Sequence, residues 1–145
     1  MRPVGDFFEV FIGFAIGAIF FFSGCSRSTE SNPVAPPTEI SFAQSIQPIF
    51  TQRCALSGCH AGSSPAQGMS LEAGKAYGNI VNVPSREKPE LMRVKPDSSS
   101  ISYLVQKIRG VSGIVGARMP FGASPLTDAQ IQTIAEWVDR GARNN

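Results

Sequence analysis

An all-α domain of about four helices, covering residues 40–145, is the fold class that the sequence predicts. Two observations carry it. Ile101, Leu104, Val105 and Ile108 recur at helical spacing, and Ile131, Ile134, Ala135 and Val138 repeat the same i, i+3, i+4, i+7 stripe. No pair of alternating apolar segments joined by a hairpin signal offers a sheet. Large aromatic side chains are also scarce beyond the first segment: seven of the ten Phe precede Cys25, leaving Phe42, Phe50 and Phe121.

A length of 145 residues suits one such domain behind a leader. Residues 10–22 form an apolar run, V-F-I-G-F-A-I-G-A-I-F-F-F, followed by Ser23-Gly24-Cys25. The run is shorter than the roughly 20 apolar residues that a membrane span needs, and it suits a signal-peptide core. Residues 1–24 resemble a bacterial lipoprotein signal, with F-S-G-C in the lipobox place. The resemblance implies cleavage before Cys25, diacylglycerol on its sulfur and anchoring to a membrane through that lipid. Ser26, rather than Asp, favours the outer membrane under the enterobacterial sorting rule. Arg2 is the only positive charge in the leader, and Asp6 and Glu9 stand where basic residues are expected. An uncleaved N-terminal anchor is the alternative. Both readings put residues 26–145 outside the cytoplasm. From Cys25 to residue 39 the chain is Ser, Pro and charge, with nothing to bury, and reads as a flexible tether.

The first helix leads into the chemistry. Ile46, Ile49, Phe50 and Cys54 share a face, and Pro48 must sit in the first turn or kink the helix. The next residues read C-A-L-S-G-C-H, which puts Cys54, Cys59 and the only histidine, His60, together. Covalent haem attachment uses two thiols on one side of the ring and an imidazole directly after the second, usually as C-x-x-C-H. Here four residues separate the thiols, and Ser57-Gly58 forms the extra bulge. A haem would also supply apolar volume that the domain's few aromatic residues do not. Three other readings stay open. Cys54 and Cys59 pair as a disulfide in an oxidising compartment, they join His60 on a zinc ion that still lacks a fourth ligand, or they remain free thiols.

Residues 70–81 predict a weaker second helix, with Ala73, Ala76, Tyr77 and Ile80 on one face and Gly74 and Gly78 against it. The third helix carries the Ile101 stripe, entered through Asp97 and the serines and closed by Gly110. A loop with glycines at 110, 113, 116 and 122 then presents Met119, stiffened by Pro120. With no second histidine, a methionine is the expected partner of His60 on a haem iron. Met119 is the candidate, whereas Met69 and Met92 lie beside apolar positions and read as core filler. The last helix opens on Thr127 as N-cap, Gln130 completing a capping box and Leu126/Ile131 as a hydrophobic staple. Gly141 ends it, and Trp137 lies near its apolar stripe as core or as a neighbour of the cofactor.

In that order the elements resemble a class I c-type cytochrome. I-Q-P-I-F-T-Q-R-C, S-G-C-H-A-G, S-Y-L-V-Q-K-I, R-M-P-F-G and I-A-E-W-V-D-R-G-A-R-N-N resemble more narrowly the small cytochrome c-like domains of bacterial outer-membrane lipoproteins. The resemblance spans residues 46–145. It implies one covalent haem c held by thioethers from Cys54 and Cys59, with His60 and Met119 as its proximal and distal iron ligands. Iron with both axial positions filled takes no substrate, so the expected function is electron transfer to redox partner proteins, not enzymatic turnover. A five-coordinate peroxidase or gas-binding site is the alternative if Met119 does not ligate, and a disulfide-closed structural lipoprotein if no haem is attached. The chain carries +2, and with residues 1–24 removed twelve basic and nine acidic residues leave +3. With no basic stripe interleaved with aromatics, nucleic acid is not expected as a partner.

Overall fold

The computed structural model describes residues 39–145. The expected signal segment 1–24, Cys25 and all but the last residue of the tether lie outside the described residues. The described part is helical: α1 (Gln47–Arg53), α2 (Ala76–Ile80), α3 (Tyr103–Arg109) and α4 (Asp128–Asp139). Among the described residues the extended chain makes only isolated bridges, such as Val81 with Val94 and Pro84 with Met92, and no strand. None of the helices described is long and apolar enough to cross a membrane.

Pro48 dictates how α1 begins. A π-helical turn, Phe42–Ile46, runs straight into it, and the Gln47 N–H reaches back to the Phe42 carbonyl. Pro48 has no N–H to donate, so the wide i−5 pattern ends there and α1 starts with proline in its first turn, where the missing donor costs nothing. The expected face forms. Ile46 and Phe50 are fully buried, and Ile49 and Cys54 pack partly against the same core.

The second helix is shorter than its sequence pattern predicts. Gly74 adopts φ +78°, which no helix accommodates, so the chain turns through residues 72–75 and only Ala76–Ile80 is helical. Ala76 and Ile80 are buried as expected, but Ala73 is left exposed. The entry to α3 also differs. Ser102 occupies the N-cap without a side-chain cap bond. Its hydroxyl instead donates to the Ser98 carbonyl at 2.9 Å and accepts from the Lys95 N–H at 2.8 Å. The preceding 3-10 turn, Ser99–Ile101, is held from α4, where the Asp139 carboxylate accepts from the Ser99 N–H and hydroxyl at 2.7 and 2.8 Å. Leu104, Val105 and Ile108 are buried, whereas Ile101 is exposed because it lies in that turn.

α4 follows its sequence signals closely. Thr127 accepts from the Gln130 N–H at 3.2 Å and the Gln130 side chain accepts from the Thr127 N–H at 3.0 Å, with Leu126 and Ile131 both buried. At the other end the Gly141 N–H bonds the Val138 carbonyl and the Ala142 N–H the Trp137 carbonyl. This is the Schellman closure, and Gly141 at φ +93° makes it.

The core joins the two ends of the described chain. Phe42 meets Phe50, Tyr77 and Trp137 at ring-centroid distances of 6.3, 5.4 and 5.2 Å. The Trp137 indole donates to the Arg143 carbonyl at 2.9 Å, and the Tyr77 hydroxyl donates to the Ala142 carbonyl at 2.9 Å. Asn145 completes the clasp by accepting from the Ala43 and Phe42 N–H groups at 2.9 and 2.8 Å. Trp137 is thus a core residue, and it does not line the cavity described next.

Candidate functional site

Between α1, α3 and the loops on either side lies a cavity of about 310 Å³, a size typical of small-molecule and cofactor sites. Its lining is mainly apolar, with Phe50, Leu71, Leu104 and Ile108 contributed by the core. Cys54, Cys59, His60 and Met119 all line it. Leu56 and Phe121, 47 and 74 % exposed, line it too and open it toward solvent.

The motif is folded so that its insertion loops away. α1 ends with the Cys54 N–H on the Phe50 carbonyl at 2.8 Å, which sets the first thiol at the end of a buried helix face. A turn closed by the Cys59 N–H on the Leu56 carbonyl holds Ser57 and Gly58. Gly58, at φ +78°, supplies the left-handed residue that the third position of such a turn requires. The His60 N–H then returns to the Cys54 carbonyl at 3.2 Å. The two extra residues are absorbed in this way while Cys59 and His60 stay at the cavity wall.

Cys54 and Cys59 are both unbridged. Burial, opposed by the Arg53 charge, pushes the Cys54 thiol up to about 11, whereas Cys59 is exposed. At pH 8 the thiolate fraction of Cys54 is then about one part in a thousand, and the thiolate is the reactive form. Iodoacetamide added to the reduced, haem-free chain should therefore label Cys59 first, with Cys54 following only on denaturation. Peptide mass mapping reads the order, and equal labelling of both thiols in the folded chain would contradict it.

His60 is held for ligation. Its Nδ1 lies 3.0 Å from the Met69 carbonyl, which can only accept, so Nδ1 carries the proton and Nε2 presents a lone pair. Burial pulls the imidazole pKa below its ordinary value and keeps the ring neutral, as a metal ligand must be. Met69 packs against the core as expected and is also part of the site. Its carbonyl orients His60, and its side chain lines the cavity. Met92 stays away from it.

Met119 reaches the cavity because α3 grips its loop. The Met119 N–H bonds the Lys107 carbonyl at 2.9 Å, and the Arg118 Nε–H donates to the Ile108 carbonyl at 2.8 Å. Lys107 is 7 % exposed, and its ammonium donates to Glu87 at 3.0 Å and to the Val115 carbonyl at 2.7 Å. The Tyr103 hydroxyl donates to the same Glu87 oxygen at 2.8 Å and accepts from the Val115 N–H at 3.0 Å. Burial raises the Tyr103 pKa and keeps it a donor. Glu87, Tyr103 and Lys107 escape a sequence reading because their partners are far apart in the chain. The only trace is Tyr103 and Lys107 four residues apart on one helix face.

No protein-family model matches the chain, nor does any curated protein or solved structure. The site therefore rests on its own geometry. Among the described residues no three His, Cys, Asp or Glu side chains are gathered to hold a bare metal ion, so Cys54, Cys59 and His60 do not form a zinc cluster. What they share is the wall of an apolar cavity large enough for an organic cofactor. Two thiols, an imidazole oriented through its Nδ1 and a thioether make a donor set that fits covalent haem.

Proposed function

We propose that the chain is an exported, lipid-anchored electron carrier of the class I c-type cytochrome kind, with one haem c joined to Cys54 and Cys59. The observation that carries this reading is the meeting of Cys54, Cys59, His60 and Met119, from two distant stretches of chain, on one apolar cavity. Bound there, haem would supply a one-electron ferric/ferrous couple, and His60 and Met119 would hold its iron.

The rest falls to the protein. Met69 holds the His60 ring through Nδ1. Lys107 fixes the backbone of Met119. Partial burial between apolar walls, together with a thioether ligand, would favour the reduced state and a raised potential. The exposed side chains beside the cavity leave one side accessible to a redox partner protein. Cys25 carries the lipid, and the stretch from Cys25 to residue 39 holds the domain off the outer membrane.

Carbon monoxide tests the ligand assignment. At neutral pH it should leave the spectrum of the reduced wild-type protein unchanged, because Met119 would hold the iron against it. In Met119→Ala the same gas should shift the Soret band. A shift in the wild type would contradict Met119 ligation and favour a five-coordinate peroxidase or gas-binding site.

A further inference from the structure

The cavity lining is apolar but positively charged. Arg53, Arg86, Arg93 and Lys107 face it against a single carboxylate, Glu87. Three of these cations are committed within the protein. Arg53 donates to the Ser124 carbonyl at 2.7 Å, and Arg93 donates to the Asn79 and Gln67 carbonyls at 2.7 and 2.8 Å. Lys107 is paired with Glu87. Arg86 has no hydrogen bond or ion pair with any described residue.

Arg86 nevertheless has a defined position. A Cβ built on Gly68 would lie 2.5 Å from its Cζ and 2.6 Å from each terminal nitrogen, so the guanidinium lies flat against the Gly68 backbone. It stands close enough to Arg93 for its charge to lower that residue's pKa, after the larger effect of burial. Two adjacent guanidinium groups on an apolar wall repel each other, and an anion between or beside them relieves the repulsion. A planar guanidinium with its donors unpaired matches a carboxylate, which it binds through two parallel N–H bonds.

We propose that Arg86 binds a carboxylate of the molecule held in this cavity, which on the haem reading above is a propionate. The assignment rests on that reading for the identity of the ligand. Arg93, which gives a donor from each terminal nitrogen to a backbone carbonyl, contributes mainly positive potential. Lys107 contributes little, since Glu87 neutralises it.

The test follows the reduction potential of the haem-loaded full chain across the acid to neutral range, for wild type, Arg86→Gln and Arg86→Lys. The potential falls as a nearby carboxylate ionises, because negative charge favours the ferric state. With Arg86 present that step lies at low pH. In Arg86→Gln it should move up by about one pH unit or more, the usual effect of losing an opposite charge at contact distance. Arg86→Lys should restore most of the shift. Arg86 is exposed, so all three chains should share one thermal melt. Superimposable profiles for wild type and Arg86→Gln on haem-loaded protein would overturn the Arg86 assignment and leave the proposed function standing. A wild-type chain with no haem mass would overturn both.

Discussion

Trp137→Ala should cost about 3–5 kcal/mol of folding stability, the range found when a large aromatic side chain is deleted from a packed core. That is a large share of what a domain of this size has. Trp137 is 1 % exposed and lies against Phe42 and Tyr77, so its removal leaves a hole where α4 meets the start of the described chain. It also removes the indole N–H that satisfies the Arg143 carbonyl. Trp137→Phe separates the two effects. It keeps most of the packing and loses the hydrogen bond, for about 1 kcal/mol plus a smaller cavity. Urea unfolding followed by far-ultraviolet circular dichroism measures both. A loss under about 1 kcal/mol in the alanine variant would show that the aromatic cluster does not hold these segments together.

Lys107→Met should cost about 3 kcal/mol, at the lower end for breaking a buried ion pair because Glu87 keeps some solvent contact. The substitution leaves the Glu87 carboxylate with only the Tyr103 hydroxyl and frees the Val115 carbonyl. The loop that carries Met119 then loses one of its anchors, so residues 110–118 should become the first site of limited proteolysis. Desolvation makes the sign of a second substitution informative. Lys107→Met combined with Glu87→Leu removes both charges, and should be more stable than Lys107→Met alone. Additive losses in the double variant would mean that the pair contributes nothing as a pair.

The two variants probe parts of the molecule that differ in how far the sequence reveals them. α4 was legible to its ends because its signals are local: Thr127, Gln130 and Gly141 act within a few residues of where they stand. Cys54, Cys59 and His60 stand close together in the chain and Met119 in a loop marked by glycines, and the structure brings all four to the lining of one cavity. α2 was overextended because apolar periodicity ran through Gly74, and only the backbone reveals that this glycine is left-handed. The entry to α3 departs from its sequence pattern for a related reason. Its serines have the right chemistry for caps, but Asp139 and Lys95 compete for them from elsewhere in the fold.

The supports of the site lie furthest from a sequence reading. Met69 acts through its carbonyl, which every residue has, so its side-chain type says nothing of the role. Glu87, Tyr103 and Lys107 form one network only because the segment before α3 folds back on that helix. Such contacts are long-range, and charged residues in sequence usually read as surface. In the structure Lys107 and Arg93 are buried, each hydrogen-bonded within the protein.

Everything proposed for this domain turns on the two thiols of the C-x4-C-H segment. Intact mass of the mature protein, followed by peptide mapping of the segment containing Cys54 and Cys59, tests it most directly. Covalent haem c predicts that this peptide carries the added mass of one haem and keeps it through acid-acetone extraction. A peptide lighter by two hydrogens would instead reveal a Cys54–Cys59 disulfide, and an unmodified peptide would reveal free thiols. Either result would contradict haem attachment.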